Sequence, residues 1–220
     1  MKFSSSLSIL LSTMILSQRP GAVVTQTPAD ARTVPVHDVQ IRNVRIQEAL
    51  RQIAKKYRVV IGFESVAHGD EGKLMNVSVE KGMMADVLDS LVKADPRYRW
   101  LQESDGAIRV YSKNETLSLT DLIISSFTVT NLHRREVSES LDKIPEVADW
   151  LRRNQCERIE FTDGHEWRIK DDRVLSLSSH DKSLRENLNQ IALQSQTYFW
   201  SAHQFDYNGG CAISLKLLTD

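Results

Sequence analysis

The run from Val77 to Trp100, VSVEKGMMADVLDSLVKADPRYRW, recurs one hundred positions later, without a gap, inside the stretch Leu175 to Trp200. Met84 corresponds to Leu184, Leu88 to Leu188, Leu91 to Ile191, Tyr98 to Tyr198 and Trp100 to Trp200. An ungapped match through a helical stripe and a following Tyr-x-Trp strand goes beyond the periodicity that any strand and helix share. It constrains the chain to two copies of one supersecondary unit. The other landmarks recur in order. FTVTNL (127–132) follows VQIRNV (39–44) at an offset of 88, and Val137, Leu141 and Ile144 follow Ile46, Leu50 and Ile53 at 91. IEF (159–161) follows IGF (61–63) at 98, and Ile213–Leu215 follows Ile108–Val110 at 105. Offsets that only grow are what duplication with lengthened loops leaves behind.

Within one copy the reading is strand, helix, strand, strand, helix, strand, strand. VQIRNV alternates with period two as a half-buried strand does. Ile46, Ala49, Leu50, Ile53, Ala54 and Tyr57 fall on one helical stripe, with Asn43 as its expected cap. Met84, Val87, Leu88, Leu91 and Val92 make a second stripe after Gly82, which Pro96 stops. RYRWLQE and AIRVYS close the unit as a hairpin about Ser104-Asp105-Gly106. The expected fold class is therefore α+β, two tandem βαββαββ units over residues 34–113 and 117–220, joined by the polar tether Lys113-Asn114-Glu115-Thr116.

Hydrophobic residues make up 41% of the 220 and charged residues 26%, which suits a globular chain rather than a disordered one. Basic residues number 28 against 29 acidic, so no net basic field exists to gather nucleic acid. At the amino end, Lys2 precedes an apolar stretch from Leu7 to Leu16 and then Pro20 and Gly21, the pattern of a secretory signal. Cleavage is expected after Ala31, in the pattern Ala29-Asp30-Ala31, giving a signal over residues 1–31, with Ala22 as the alternative site. The stretch is about half the length a membrane span needs, so export into an oxidising compartment is the expectation.

The unit VQIRNVRIQEALRQIAKKYRVVIGFE … VSVEKGMMADVLDSLVKADPRYRWLQESDGAIRVYS resembles the secretin and TonB short N-terminal (STN) domain. The shared features are the Glu48-Ala49-Leu50 helix start, the VSVE strand, the helix holding VLDSL and the aromatic hairpin. The second half is similar to a diverged copy. The resemblance implies small sandwich domains, each with two helices between small sheets, working in the bacterial periplasm against envelope or outer-membrane proteins. It implies no catalytic residue, cofactor or metal.

The most enzyme-like stretch is Phe161-Thr162-Asp163-Gly164-His165-Glu166-Trp167, which puts an acid, a histidine and a second acid on a glycine turn. His165 has no histidine four residues later, so the HExxH pattern is missing. A hydrolase centred on Asp163, His165 and Glu166 is the remotest of three readings. A small-ligand or peptidoglycan binder using a cleft between the repeats is the second. The first is a non-catalytic protein-interaction module that offers a strand edge to its partner, with Val77 and Val79, or Ile108 and Val110, as candidate edges. The alternative is that the repeats cover each other's edges. Gly69-Asp70-Glu71-Gly72 has the form of a phosphate-clamping GxxG loop, but two carboxylates inside it would repel phosphates. Cys156 and Cys211, the two cysteines, suit a disulfide in an oxidising compartment, or two buried thiols.

Overall fold

The computed structural model describes residues 30–67, 72–114, 117–159 and 174–217. The first repeat runs β1 (Pro35–Val44), α1 (Ile46–Tyr57), β2 (Ile61–Ala67), β3 (Met75–Met83), α2 (Met84–Ala94), β4 (Tyr98–Gln102) and β5 (Ile108–Ser112). The second runs β6 (Ile123–His133), α3 (Arg134–Leu141), α4 (Pro145–Arg153), β7 (Cys156–Arg158), β8 (Val174–Ser183), α5 (Leu184–Gln194), β9 (Phe199–Tyr207) and β10 (Gly210–Lys216). The class is α+β, as the sequence predicts.

Strand register carries the repeat down to single residues. Val39 pairs with Val79 in β1–β3, and Phe127 with Ser179 in β6–β8, offsets of 88 (127 − 39) and 100 (179 − 79). Both ribbons break register near an asparagine with left-handed backbone, Asn43 at φ 52° and Asn131 at φ 53°. Asparagine tolerates that conformation better than most residues. Each donates its N–H across the ribbon, Asn43 to Asn76 Oδ1 and Asn131 to Ser176 Oγ, both at 3.0 Å. Asn43 is thus the bulge residue rather than the cap of α1, whose N-cap is Arg45.

Most of each stripe read from periodicity is buried, Ile46, Ala49, Leu50, Ile53 and Ala54 on α1 and Met84, Val87, Leu88 and Leu91 on α2, while Tyr57 and Val92 are only half-buried. Asp86 on α2 and Glu186 on α5 reach back to accept the N–H of Met83 and Ser183, at 2.7 and 2.8 Å. These bonds satisfy a donor that a helix start leaves open. The counterpart of α1 is not one helix. Pro145 cannot continue α3, so it opens α4 at its first turn.

The larger departure is in the sheets. Two separate sandwiches are expected, yet a single six-stranded sheet, β4-β5-β2-β9-β10-β7, spans both repeats, flanked by the two-stranded ribbons β1–β3 and β6–β8. Ile61, Phe63, Ile108, Val110 and Phe199 belong to the core under α1 and α2, while Trp200, Ala202, Ile213 and Leu215 belong to the core under α3, α4 and α5. Phe199 and Trp200 are adjacent on one strand and so point to opposite faces. The helices of the two repeats therefore cover opposite faces of the shared sheet. The hairpin register places Leu215 opposite Ala202, as Ile108 lies opposite Gln102, so the counterpart of Ile108 is Leu215 and the offset there is 107 (215 − 108) instead of 105.

Candidate functional site: the seam between the repeats

The two repeats meet where β2 pairs in parallel with β9, from Ile61 opposite Phe199 to Ala67 opposite Phe205. Gly62 lies opposite Trp200, and a Cβ there would come within 2.2 Å of an indole carbon. The glycine of the IGF run thus exists to let the indole lie across the strand. Trp200 is fully buried, and its Nε1 donates to Asn189 Oδ1 at 2.7 Å, while Asn189 Nδ2 donates to Asp105 Oδ2 at 2.8 Å. Trp100 on β4 repeats the first bond, donating to Asp89 Oδ1 at 2.8 Å. Each indole thus reaches a residue eleven positions earlier, on the preceding helix. That shared bond confirms the Tyr-x-Trp match in three dimensions.

Beside the indole, Glu64 of β2 is 1% exposed and holds two guanidiniums. Arg109 of β5 donates to its Oε2 from Nε at 3.1 Å and Nη2 at 2.7 Å, and Arg185 of α5 donates to its Oε1 from Nε at 2.7 Å. Arg185 continues to Thr120 Oγ1 at 2.8 Å and to Asp121 at 2.6 Å. Burial opposes the charge of Arg185, but the hydrogen bonds and attraction of Glu64 and Asp121 outweigh it and raise its pKa. Burial also pushes the nearby Glu103 carboxyl up, against the pull of Arg185 and Arg109. A buried carboxylate with two guanidiniums is costly to break, because the survivors keep unpaired charge in a dry site. Glu64 and Arg185 come from different repeats, so this network locks the seam.

A second polar pair sits three positions along the same strands. Ser65 and His203 face each other across β2–β9, with Oγ and Nδ1 2.6 Å apart and the ring edge-on to Phe63. Burial, aided by the charge of Lys216, lowers the His203 pKa to about 4, so the imidazole is neutral at physiological pH. A hydroxyl beside a neutral imidazole is two thirds of a nucleophilic constellation, which also needs an orienting group and oxyanion donors. Ser65 is 4% exposed, so its side chain is covered by the packing around the seam. The pair joins the two strands across the seam.

The candidate sites read from the sequence fall as follows. Ile108 and Val110 are 1% and 0% exposed on β5, which has a strand on either side, so no edge exists there. The hairpin's outer strand, β4, is the edge instead. Val77 and Val79 lie on β3, which among the described residues pairs only with β1, and they turn toward the first core. The two cysteines are joined: Cys156 of β7 and Cys211 of β10 are register partners with Cα atoms 4.4 Å apart, inside the range a bridge requires. Asp163, His165 and Glu166 lie outside the described residues, as do residues 69–71 of the GxxG run and residues 1–29. Among the described residues no group of three or more His, Cys, Asp or Glu could hold a metal ion. No helix among them is long and apolar enough to cross a membrane.

Sequence periodicity does not reveal the seam. Its signals were a glycine and a carboxylate inside the apolar run Val59-Val60-Ile61-Gly62-Phe63-Glu64, and an arginine near the start of the second copy's stripe. Comparison with family models, with curated proteins and with solved structures finds no match to this chain.

Proposed function

We propose that this chain is an exported, non-catalytic protein-interaction module of two STN-like units, whose partners are envelope or outer-membrane proteins in the periplasm. The observation that carries this reading is the way the molecule joins its own halves. The repeats associate by adding one strand edge to another, and among the described residues the six-stranded sheet ends on β4 and β7. A sheet that ends on a strand is a template for a further strand. The residues that gather polar groups, Glu64, Arg109, Arg185, Ser65 and His203, are spent on holding the seam. Removal of the export signal after Ala22 fits better than removal after Ala31. Ala31 is 5% exposed in the first core, and Asp30 caps the turn that holds it.

The test is site-specific photo-crosslinking in the cells that make the protein, with the reactive group placed in turn at Gln102 on β4, Ser78 on β3 and Arg153 on α4. A discrete adduct with another envelope polypeptide from a strand-edge position, and none from Arg153, is the expected result. Absence of adducts from every position, with the protein folded and exported, overturns the reading.

A further inference from the structure

Because β9 is the counterpart of β4, the seam records what this kind of edge accepts. The shared bonds of Trp100 to Asp89 and of Trp200 to Asn189 set the two indoles in the same place relative to their strands and helices. At the seam the edge of β9 takes β2 as a parallel neighbour, with Ile61 N–H donating to the Tyr198 carbonyl at 2.9 Å. The Trp200 indole then reaches sideways beyond its own strand and lies over Gly62.

β4 presents the same features at the end of the sheet. The Arg97 carbonyl accepts from Lys113 and the Glu103 N–H donates to Ala107, both at 2.8 Å, so these odd-numbered residues bond toward β5. Alternation along an antiparallel pair then turns the backbone groups of Trp100 and Gln102 away from β5, toward the outside. Among the described residues β5 is the only strand beside β4. Trp100 is half-buried where Trp200 is fully buried. Trp200 has β2 beneath it, and Trp100 has no such strand among the described residues.

The occupant follows from the indole. A side chain opposite Trp200 would collide with it, so the strand that fits bears glycine at that position. A second copy docking as the repeats do would offer β7, the counterpart of β2 and the other end of the six-stranded sheet, and Cys156–Arg158 holds no glycine. We propose that β4 takes up, as a parallel seventh strand, an extended segment of a different polypeptide that places a glycine opposite Trp100, beneath its indole. This deepens the interaction-module reading and rests on it.

The chain's own seam strand supplies the probe. A labelled synthetic peptide of Val59 to Ala67, with a solubilising lysine tail, is titrated against the intact protein by fluorescence anisotropy. Saturable binding is expected, and a peptide carrying Gly62→Leu should bind at least about tenfold more weakly, because the added side chain meets the indole. Trp100→Ala in the protein should cost a similar factor. The peptide variant is read on unaltered protein, so the test survives if Trp100→Ala misfolds. Absence of saturable binding, or equal binding of the Gly and Leu peptides, overturns the proposal. Failure here alongside crosslinked adducts in cells leaves the interaction-module reading standing, whereas peptide binding with no adducts removes that reading instead.

Discussion

Gly62 and His203 are the residues whose chemistry is most sharply set by the seam. Gly62→Ala puts a Cβ against the Trp200 indole, and overpacking of this kind costs about 1–3 kcal/mol. Chemical denaturation should show that loss, and it should shrink in a Trp200→Phe background, since the smaller ring removes the collision partner. An undiminished loss would place the cause in the backbone rather than the indole. His203 has a folded-state pKa of about 4, below the 6.5 of a free imidazole, so its contribution to stability is complete above pH 6.5 and is lost as pH falls toward 4. Linkage puts the loss between pH 7 and pH 5 at about 2 kcal/mol. Denaturation at the two pH values should show the protein losing that much more than His203→Gln, and parallel losses would mean that the ring titrates normally.

At the scale of the element, α2 and α5 are the best-matched pair in the chain. Leu88 is 0% exposed and Leu188 is 1%. Leu→Ala at either should cost about 2–5 kcal/mol, measured by urea midpoints, and a neutral Leu188→Ala would mean that α5 does not pack as α2 does. β7 is the shortest strand described, three residues long, and among the described residues it pairs with β10 alone, in parallel. The Cys156–Cys211 bridge ties it there across 55 residues of chain. A loop of that length makes the bridge worth about 2–4 kcal/mol. Reductant, or the Cys156→Ala, Cys211→Ala pair, should lower stability by that amount, and thiol titration of the unreduced, denatured protein should find no free sulfhydryl. Two free thiols would show that the bridge does not form and would weaken the case for export.

At the scale of the whole molecule, the two repeats share a sheet, and each core borrows from the other. Phe199 of the second repeat is fully buried in the first core, and the Arg185–Glu64 pair spans 121 residues of sequence. The sequence alone suggests that residues 34–113 fold by themselves. The seam implies that such a fragment would expose the Gly62 face and leave the Glu64–Arg109 pair without Arg185. Calorimetry of the intact chain should therefore give one cooperative transition, and a fragment ending at Lys113 should melt well below it. Two resolved transitions, one matching the isolated fragment, would restore two independent domains.

The sequence by itself determined whatever depends on neighbours a few residues apart or on copying. Period-two and period-3.6 patterns marked the strands and the stripes of α1, α2 and α5, and the repeat aligned β1 with β6 and β3 with β8 to the residue. Where the copies had diverged, the signal weakened. Pro145 split one helix, and the last hairpin shifted by two residues. What only the tertiary structure decided is which edge meets which. Strand pairing between repeats is made by backbone groups that every residue carries, so side-chain patterns cannot specify that β2 joins β9, or that β5 is interior and β4 terminal. The glycine beneath Trp200 and the acid between Arg109 and Arg185 are legible in the sequence as anomalies in apolar runs, but their meaning appears only when residues over a hundred positions apart are brought into contact.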